Sequence, residues 1–370
     1  MSQQARYWLE KIHELEFSKK IKIMNVCGGH ERSLSMAGIR SVLPENIELI
    51  PGPGCPVCVC PEEDLYLAIQ LAKTEAVCLV AFGDMLHVPV NAPKNEARSL
   101  QQAKAQGADI RAIASPQEVV DIAHAEPNKQ IVFFVAGFET TTAPVISMLA
   151  EDMPDNLLLL LAARRTWPAV EMLLQSDASG FDALIAPGHV ATIMGVSEWS
   201  AVAEIYHKPV AVAGFESDSL LAAIYSTVRQ FQEKQVFLDN CYGSVASLEG
   251  NTYAQQLLSR YTDITPATWR GIGVIPNSGF ELKTEFQRWN AKVHFSAKVD
   301  YSRKRIGEMP AGCDCAKVVL GKIYPNECRL YGNACQPRNP VGPCMVSDEG
   351  ACRIWWTTQK NHRHTPVSVA

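Results

Sequence analysis

The sequence predicts an α/β protein with two similar parallel-sheet domains around a cleft, followed by a third, cysteine-rich domain. Short apolar runs alternate with helical stretches, which is typical of parallel sheets joined by crossover helices. The apolar runs are continuous, as expected for strands whose two faces are both covered. The predicted strands are Ile21–Val26, Ile47–Ile50, Ala76–Phe82, Gln130–Ala136, Leu157–Ala163, Ala183–Ala186 and Pro209–Ala213.

The segment after about Gly243 changes character, because apolar runs become rare and residues 310 to 352 are rich in Cys, Gly and Pro. We therefore predict α/β domains over residues 1–125 and 126–265 and a cysteine-rich domain over 266–370. The pentapeptide Val-Ala-Gly-Phe-Glu occurs at Val135–Glu139 and again at Val212–Glu216. This echo is compatible with two related α/β units, although five residues are weak evidence for a repeat.

Composition excludes several classes of protein. The chain of 370 residues is 47% hydrophobic and 20% charged, with a net charge of −5, which is ordinary for a globular protein and offers no basic footprint for nucleic acid. The longest apolar run, Leu157–Ala163, is too short to span a membrane. The polar start, Ser2 to Lys11, does not resemble a signal peptide. We expect a cytoplasmic protein with neither a nucleic-acid nor a membrane partner.

Twelve cysteines are unusual for a chain in a reducing compartment, where structural disulfides are rare. They are also clustered, with four between Cys27 and Cys60 and six between Cys313 and Cys352. Metal binding or redox chemistry explains such clusters better than a disulfide framework does.

Nearly every predicted strand ends in a polar or glycine-rich cluster, and ligands of parallel sheets bind beyond these carboxyl ends. Cys27 ends the first strand before two glycines, and the dipole of a following helix would favour its thiolate. His30 could transfer protons or bind a metal. The alternative is a buried cysteine before a tight glycine turn.

The second strand runs into a Pro/Gly-rich loop that contains Cys55 and Cys58. Their C-x-x-C spacing suits either a redox dithiol or two ligands of one metal. Asp84, Glu139 and His189 follow three further strands and are candidates for proton transfer or ligand binding. Structural roles are comparably frequent for such isolated polar residues.

The C-terminal segment carries the strongest signal. Cys315, Cys328, Cys335 and Cys352 are 13, 7 and 17 positions apart in a loop-rich segment, a set that suits a 4Fe–4S cluster or structural zinc. Zinc sites usually contain two close C-x-x-C pairs, which this region lacks, so the spacing favours iron–sulfur. The remaining thiols, Cys313 and Cys344, are a possible reducible pair beside the cluster, or are inert.

Taken together, these motifs resemble the HypD family of hydrogenase maturation factors over almost the whole chain. The motifs are Cys27–His30, Pro51–Cys58, Phe82–Asp84, Gly137–Thr141, Ala186–Val190, Ala213–Glu216 and Met345–Cys352. The resemblance implies a scaffold for assembling the Fe(CN)2CO centre of NiFe hydrogenases. Such a scaffold works with the small partner HypC and receives cyanide from HypE.

The resemblance also implies residue roles. Cys27 would hold the iron together with a thiolate from HypC, and Cys55 and Cys58 would be redox or iron-binding thiols. The 4Fe–4S cluster would be bound by four cysteines, which are Cys315, Cys328, Cys335 and Cys352. Two alternatives remain open, an iron–sulfur-dependent thiol–disulfide oxidoreductase that uses Cys55 and Cys58, and a zinc-stapled binding module.

Overall fold

The computed structural model describes residues 2–16, 19–93, 95–151, 153–176, 180–298 and 309–362, with side chains to residue 358. Its strands are β1 Ile21–Asn25, β2 Ile47–Pro51, β3 Val77–Phe82, β4 Ile110–Ile113, β5 Gln130–Gly137, β6 Leu157–Ala163, β7 Ala183–Pro187, β8 Val210–Ala213, β9 Leu238–Asn240, β10 Thr262–Trp269 and β11 Gly273–Leu282. Its helices are α1 Gln3–His13, α2 Gly28–Met36, α3 Ile39–Val42, α4 Pro56–Val59, α5 Glu62–Thr74, α6 Leu100–Ala105, α7 Pro116–Ala125, α8 Glu139–Ser147, α9 Thr166–Leu174, α10 Gly188–Met194, α11 Ser200–Glu204, α12 Ser217–Glu233, α13 Thr252–Tyr261, α14 Ala291–His294, α15 Cys315–Val319 and α16 Ala351–His362.

Among the described residues, nine strands form two parallel sheets, which confirms the predicted fold class. Sheet A has the order β2-β1-β7-β8-β9, and sheet B has the order β4-β3-β5-β6. In both sheets the first four strands, counted in chain order, lie side by side in the order second, first, third, fourth. The two sheets are therefore similar in topology.

The sheets divide the chain differently from the continuous ranges 1–125 and 126–265. Sheet B is built from residues between 77 and 163, whereas sheet A combines β1 and β2 with strands that follow sheet B in the chain. Sheet B is thus inserted between the second and third strands of sheet A. The pentapeptide echo ends β5, the third strand of sheet B, and β8, the fourth strand of sheet A, so its copies do not occupy equivalent positions.

Both sheets are covered on both faces, as the continuous apolar runs predict. In β5, Val132 and Phe134 face one core while Phe133 and Val135 face another, because successive side chains of a strand point in opposite directions. Sheet A separates in the same way, with Met24 in one core and Ile21 and Ile23 of the same strand in the other. Full burial of each large aliphatic or aromatic side chain contributes about 1.5–3 kcal/mol.

The antiparallel hairpin β10–β11 packs beside sheet B. Arg164, which follows β6, donates two hydrogen bonds to the carbonyl of Thr268, from Nε at 3.0 Å and from Nη2 at 2.8 Å. The backbone N–H of Arg165 donates to the carbonyl of Ser278 at 2.8 Å. The cysteine-rich segment follows this hairpin and packs through α15 and α16 against α4 and α2. None of the described helices has both the length and the hydropathy that crossing a lipid bilayer requires.

Candidate functional site

The thiol-bearing loops meet at the switch point of sheet A. After β1 the chain moves outward to β2, whereas β7 lies on the other side of β1, so the loops that follow β1 and β7 diverge and leave a crevice. The strand β1 leads into Cys27, and β2 leads into the loop that contains Cys55. Parallel pairing of β1 with β2 brings these two loops to the same edge.

Backbone contacts hold the two loops against each other. The N–H of Gly28 donates to the carbonyl of Gly54 at 3.0 Å, and the N–H of Gly52 donates to the carbonyl of Asn25 at 2.8 Å. A Cβ atom at Gly54 would lie 2.4 Å from both the Cα and the N of Cys27. The glycine at position 54 is therefore required for this approach of the loops.

Cys55 and Cys58 form a disulfide across the short helix α4, with their Cα atoms 5.4 Å apart. Together with Cys27, the disulfide lines one narrow cavity, whose wall also contains Cys344 and Glu349. The space open to the centre of a water molecule is only about 10 Å³. The structure therefore brings the predicted iron-binding thiols together, although their roles stay predictions.

The Cys27 thiol is protonated in this environment. Cys27 precedes α2 as its N-cap residue, and the backbone N–H groups of His30 and Gly29 lower its pKa, as the predicted helix start implies. Desolvation outweighs them and raises the pKa of Cys27 to about 12, with a further contribution from Glu349. A metal ion would have to displace this proton in order to bind.

His30 is completely buried, and its Nδ1 lies 3.1 Å from the Oδ1 of Asn25. The ring of Phe215 contacts both histidines, with centroid distances of 4.8 Å to His30 and 3.9 Å to His189. Burial lowers the pKa of His30 to about 3, so the imidazole is neutral at physiological pH. His189 is exposed.

Asp84 reaches this region through the loop before α16. Its Oδ2 accepts a hydrogen bond from Ser347 Oγ at 2.7 Å, and the same oxygen of Ser347 accepts from the N–H of Glu349 at 3.1 Å. Glu349 is accessible to solvent, but desolvation of its carboxyl and, to a smaller extent, the charge of Asp84 together raise its pKa to about 7. Glu349 was not among the site residues predicted from the sequence, because no motif rule marks an acidic residue between two cysteines.

Glu139 does not line the Cys27 cavity. It is fully buried, and its carboxylate accepts hydrogen bonds from the backbone N–H of Thr166 at 2.6 Å and from Thr166 Oγ1 at 2.7 Å. Burial raises the pKa of Glu139, and also that of nearby Glu198 to about 8, while Arg165 opposes both shifts. The contacts of Glu139 tie the start of α8 to the start of α9.

The late cysteines form a second buried group. The Sγ atoms of Cys315, Cys344 and Cys352 all lie within 4.8 Å of one another, a spacing that could hold a metal. Cys313 Sγ lies 3.3 Å from Cys315 Sγ. A Cβ atom at Gly342 would lie 2.5 Å from both the Cys313 and Cys315 sulfurs, so this glycine leaves room for the thiols. Hydrogen bonds from the Cys315 and Cys352 thiols lower the pKa of Cys344.

This grouping differs from the predicted ligand set. Cys344, assigned by the sequence to a reducible pair with Cys313, lies inside the close group, whereas Cys328 and Cys335 lie outside the 4.8 Å group found among the described residues. Both are buried, and Cys335 Sγ accepts from the backbone N–H of Val341 at 3.4 Å. Because Cys344 also lines the Cys27 cavity, it connects the two thiol groups.

Fold and site together define an α/β protein that carries a buried cysteine group able to bind a metal. The family model described as HypD, "Hydrogenase formation hypA family", matches residues 3–359. The chain therefore belongs to the HypD family, as its motifs predict.

Three relatives illustrate the similarity. A putative hydrogenase expression/formation protein of Methanocaldococcus jannaschii is 38% identical, over 94% of this chain and 95% of the relative. The hydrogenase maturation factor HypD2 of Bradyrhizobium diazoefficiens is 36% identical, over 95% of this chain and 93% of the relative. The hydrogenase maturation factor HypD of Escherichia coli is 36% identical, over 91% of this chain and 89% of the relative.

Proposed function

We propose that this protein is a scaffold in NiFe hydrogenase maturation on which the Fe(CN)2CO centre is assembled. Cys27 holds the iron cargo together with a thiolate from a HypC-type partner, and a HypE-type partner supplies cyanide. Membership of the HypD family supports the hydrogenase-maturation part of the proposal. The observation that carries the site assignment is the convergence of Cys27, Cys55, Cys58 and Cys344 on one cavity.

The chemistry of the site suits this cargo. Soft anionic thiolates are suitable ligands for iron that also carries cyanide and carbonyl. The cavity leaves room for about one water molecule, so iron with three diatomic ligands needs the loop of residues 346–350 to move aside. Glu349 forms part of this loop and packs on Gly28, where a Cβ atom would lie 2.5 Å from the Glu349 Cβ.

The late cysteines are the proposed ligands of a resident 4Fe–4S cluster, because three buried soft thiols lie within 4.8 Å of one another. Cys315, Cys344 and Cys352 are the ligands that the geometry favours, with Cys313, Cys328 and Cys335 as candidates for the fourth. When bound, such a cluster supplies electrons one at a time. Reduction of the Cys55–Cys58 disulfide consumes two electrons and two protons and yields two thiols that can bind or release iron.

The disulfide also favours a second candidate function, an iron–sulfur-dependent thiol–disulfide oxidoreductase. In this alternative Cys55 and Cys58 exchange with an external disulfide, and Cys27 has no carrier role. Reduction of a generic disulfide by the purified protein with a one-electron donor would select this alternative.

The experiment that tests the scaffold proposal replaces Cys27 by Ser, with Cys241→Ser as the matched control. Cys241 is a partly exposed thiol that follows β9, which lies three strands away from β1 in sheet A. Protein purified anaerobically with a HypC-type partner should show infrared bands of iron-bound cyanide and carbonyl in the wild type and the control. Cys27→Ser should lose them while retaining the acid-labile sulfide of the cluster. Bands of full intensity in Cys27→Ser would refute the carrier role.

A further inference from the structure

Glu31 is a buried charge that the proposed carrier chemistry does not use. It lies one helical turn after Cys27 on α2, and its N–H donates to the Cys27 carbonyl at 3.0 Å. The Glu31 side chain is only 3% exposed. Its two carboxylate oxygens have different partners, since Oε2 accepts from Arg40 Nη2 at 2.7 Å and Oε1 accepts from Trp355 Nε1 at 2.9 Å.

Trp355 lies one helical turn after Cys352 on α16. The Arg40 guanidinium stands over its ring, with Cζ 5.6 Å from the centroid. Glu31, Arg40 and Trp355 thus contact one another pairwise, and we call these three residues the clamp. The clamp therefore joins α2, which begins directly after Cys27, and the neighbouring α3 to α16, which carries Cys352.

The clamp also reaches the third thiol-bearing segment. Tyr324 stacks on Trp355 with a centroid distance of 5.1 Å and an interplanar angle of 29°. The Tyr324 hydroxyl donates a hydrogen bond to Glu48 on β2, the strand that leads into the Cys55–Cys58 loop. Trp355 therefore connects the elements that position all three groups of thiols. It lies on α16, its indole contacts Glu31 on α2, and it reaches β2 through Tyr324.

The buried carboxylate makes this connection rigid. Separation of α2 from α16 would remove the indole N–H from Glu31 and leave a buried charged oxygen without its partner, which costs more than loss of an exposed hydrogen bond. The ion pair with Arg40 holds the carboxylate in place, because Arg40 Nη1 also donates to Ser35 Oγ at 3.1 Å. Rotation of α16 about its axis is opposed by the two groups that stand against the Trp355 ring.

We propose that Glu31 is a positioning residue that acts through Trp355 to hold the Cys27 thiol at a fixed distance from the Cys344 and Cys352 thiols. The inference rests on the proposed function, in which Cys27 carries iron and the late cysteines bind a cluster. The clamp maintains the geometry that lets cargo and cluster share one cavity wall. The loop of residues 346–350 leads into α16 and contacts the start of α2 at Gly28.

The first test measures the rate at which iodoacetamide alkylates Cys27, with peptide mass spectrometry to locate the label on the full-length, metal-reconstituted protein. Trp355→Phe removes the N–H donor but keeps an aromatic ring, and we expect alkylation to accelerate about tenfold, the effect of losing one hydrogen bond to a charged group. The matched control is Trp356→Phe on the same helix, whose ring contacts Tyr331 at 6.0 Å instead of Glu31. Equal acceleration in both variants would overturn the proposal.

The second test separates the hydrogen bond from the charge. Glu31→Gln keeps an acceptor for the indole and should stay within about threefold of the wild-type alkylation rate, whereas Glu31→Ala should match Trp355→Phe. The double variant Glu31→Ala/Trp355→Phe should be no faster than either single variant, because both changes remove the same contact. Independent, multiplying effects in the double variant would show that the two residues do not act together.

A spectroscopic readout distinguishes positioning from general destabilisation. The electron paramagnetic resonance spectrum of the reduced, reconstituted protein should change in Trp355→Phe and not in Trp356→Phe. An unchanged spectrum together with unchanged alkylation would refute the clamp while leaving the scaffold proposal intact. Failure of the scaffold proposal would instead appear as normal infrared bands in Cys27→Ser.

Discussion

Replacing Gly54 by Ala tests whether the Cys27 and Cys55 loops must touch. A Cβ atom at this position would lie 2.4 Å from the Cα and N of Cys27 and 2.7 Å from the carbonyl carbon of Val26. All three are backbone atoms, so no side-chain rotation can relieve the overlap. The two loops would have to separate by about 1 Å to restore ordinary contact distances.

The size of the effect follows from what such a separation breaks. Overpacking in a closely packed region typically costs about 1–3 kcal/mol. Two hydrogen bonds between the loops, Gly28 N–H to Gly54 O and Gly52 N–H to Asn25 O, would be stretched, at about 1 kcal/mol each. We expect Gly54→Ala to lower the free energy of unfolding by about 3–5 kcal/mol.

The assay is urea unfolding of the metal-free protein followed by tryptophan fluorescence, with Gly83→Ala as the control. Gly83 follows β3, and a Cβ atom there would meet nothing within 4 Å, so the control should change the free energy of unfolding by less than about 0.5 kcal/mol. If Gly54→Ala were as stable as Gly83→Ala, the close approach of the two loops would be refuted, and with it the shared cavity.

Two further predictions concern a charge network and a thiol. The carboxyl of Asp109, beside β4, is hydrogen bonded by Arg111 and Lys129, and Arg111 above all lowers its pKa to about 2. A carboxyl with a lowered pKa stabilises the folded state above its ordinary pKa of 3.8 and loses that contribution as the pH falls towards 2. Asp109→Asn should therefore destabilise the protein by about 1–2 kcal/mol at pH 7, after allowance for solvent screening, and by roughly half as much at pH 3. If the unfolding free energies of wild type and variant differed by the same amount at both pH values, this prediction would be contradicted. Cys344→Ser should reduce bound iron and acid-labile sulfide at least twofold, because Cys344 lies within 4.8 Å of two other buried thiols. The control Cys78→Ser, which replaces a thiol in the core of sheet B, should retain both. Unchanged metal content in Cys344→Ser would support the reducible pair predicted from the sequence.

The sequence predicted the sheets well where burial alone decides the pattern. Leu157–Ala163 is a strand with the bounds predicted, and the other six predicted strands differ from the observed bounds by one residue at an end. These strands are largely buried on both faces, so most of their residues are apolar and the run stands out from its polar neighbours. Ile110–Ile113 was missed because Arg111 interrupts it, and that arginine is bound by Asp109 at the sheet edge.

The interleaving of the sheets could not be predicted from local patterns. Strands β2 and β3 are close in the chain but belong to different sheets, while β1 pairs with β7 across about 160 residues. Pairing between strands depends on complementary edges and on loop closure, and neither leaves a mark in an apolar run of five residues. The predicted ranges 1–125 and 126–265 assumed that neighbours in the chain share a sheet.

By itself, the sequence determined the α/β class, the family, and the segments in which the cysteines cluster, because burial periodicity and cysteine spacing are local properties of the chain. Only the tertiary structure decided that Cys344 belongs beside Cys315 and Cys352, that Glu349 borders the Cys27 cavity, and that Glu31 pairs with Trp355. Such contacts join residues up to 324 positions apart. Their geometry depends on how sheets, helices and glycine turns pack, and that packing is a property of the whole chain.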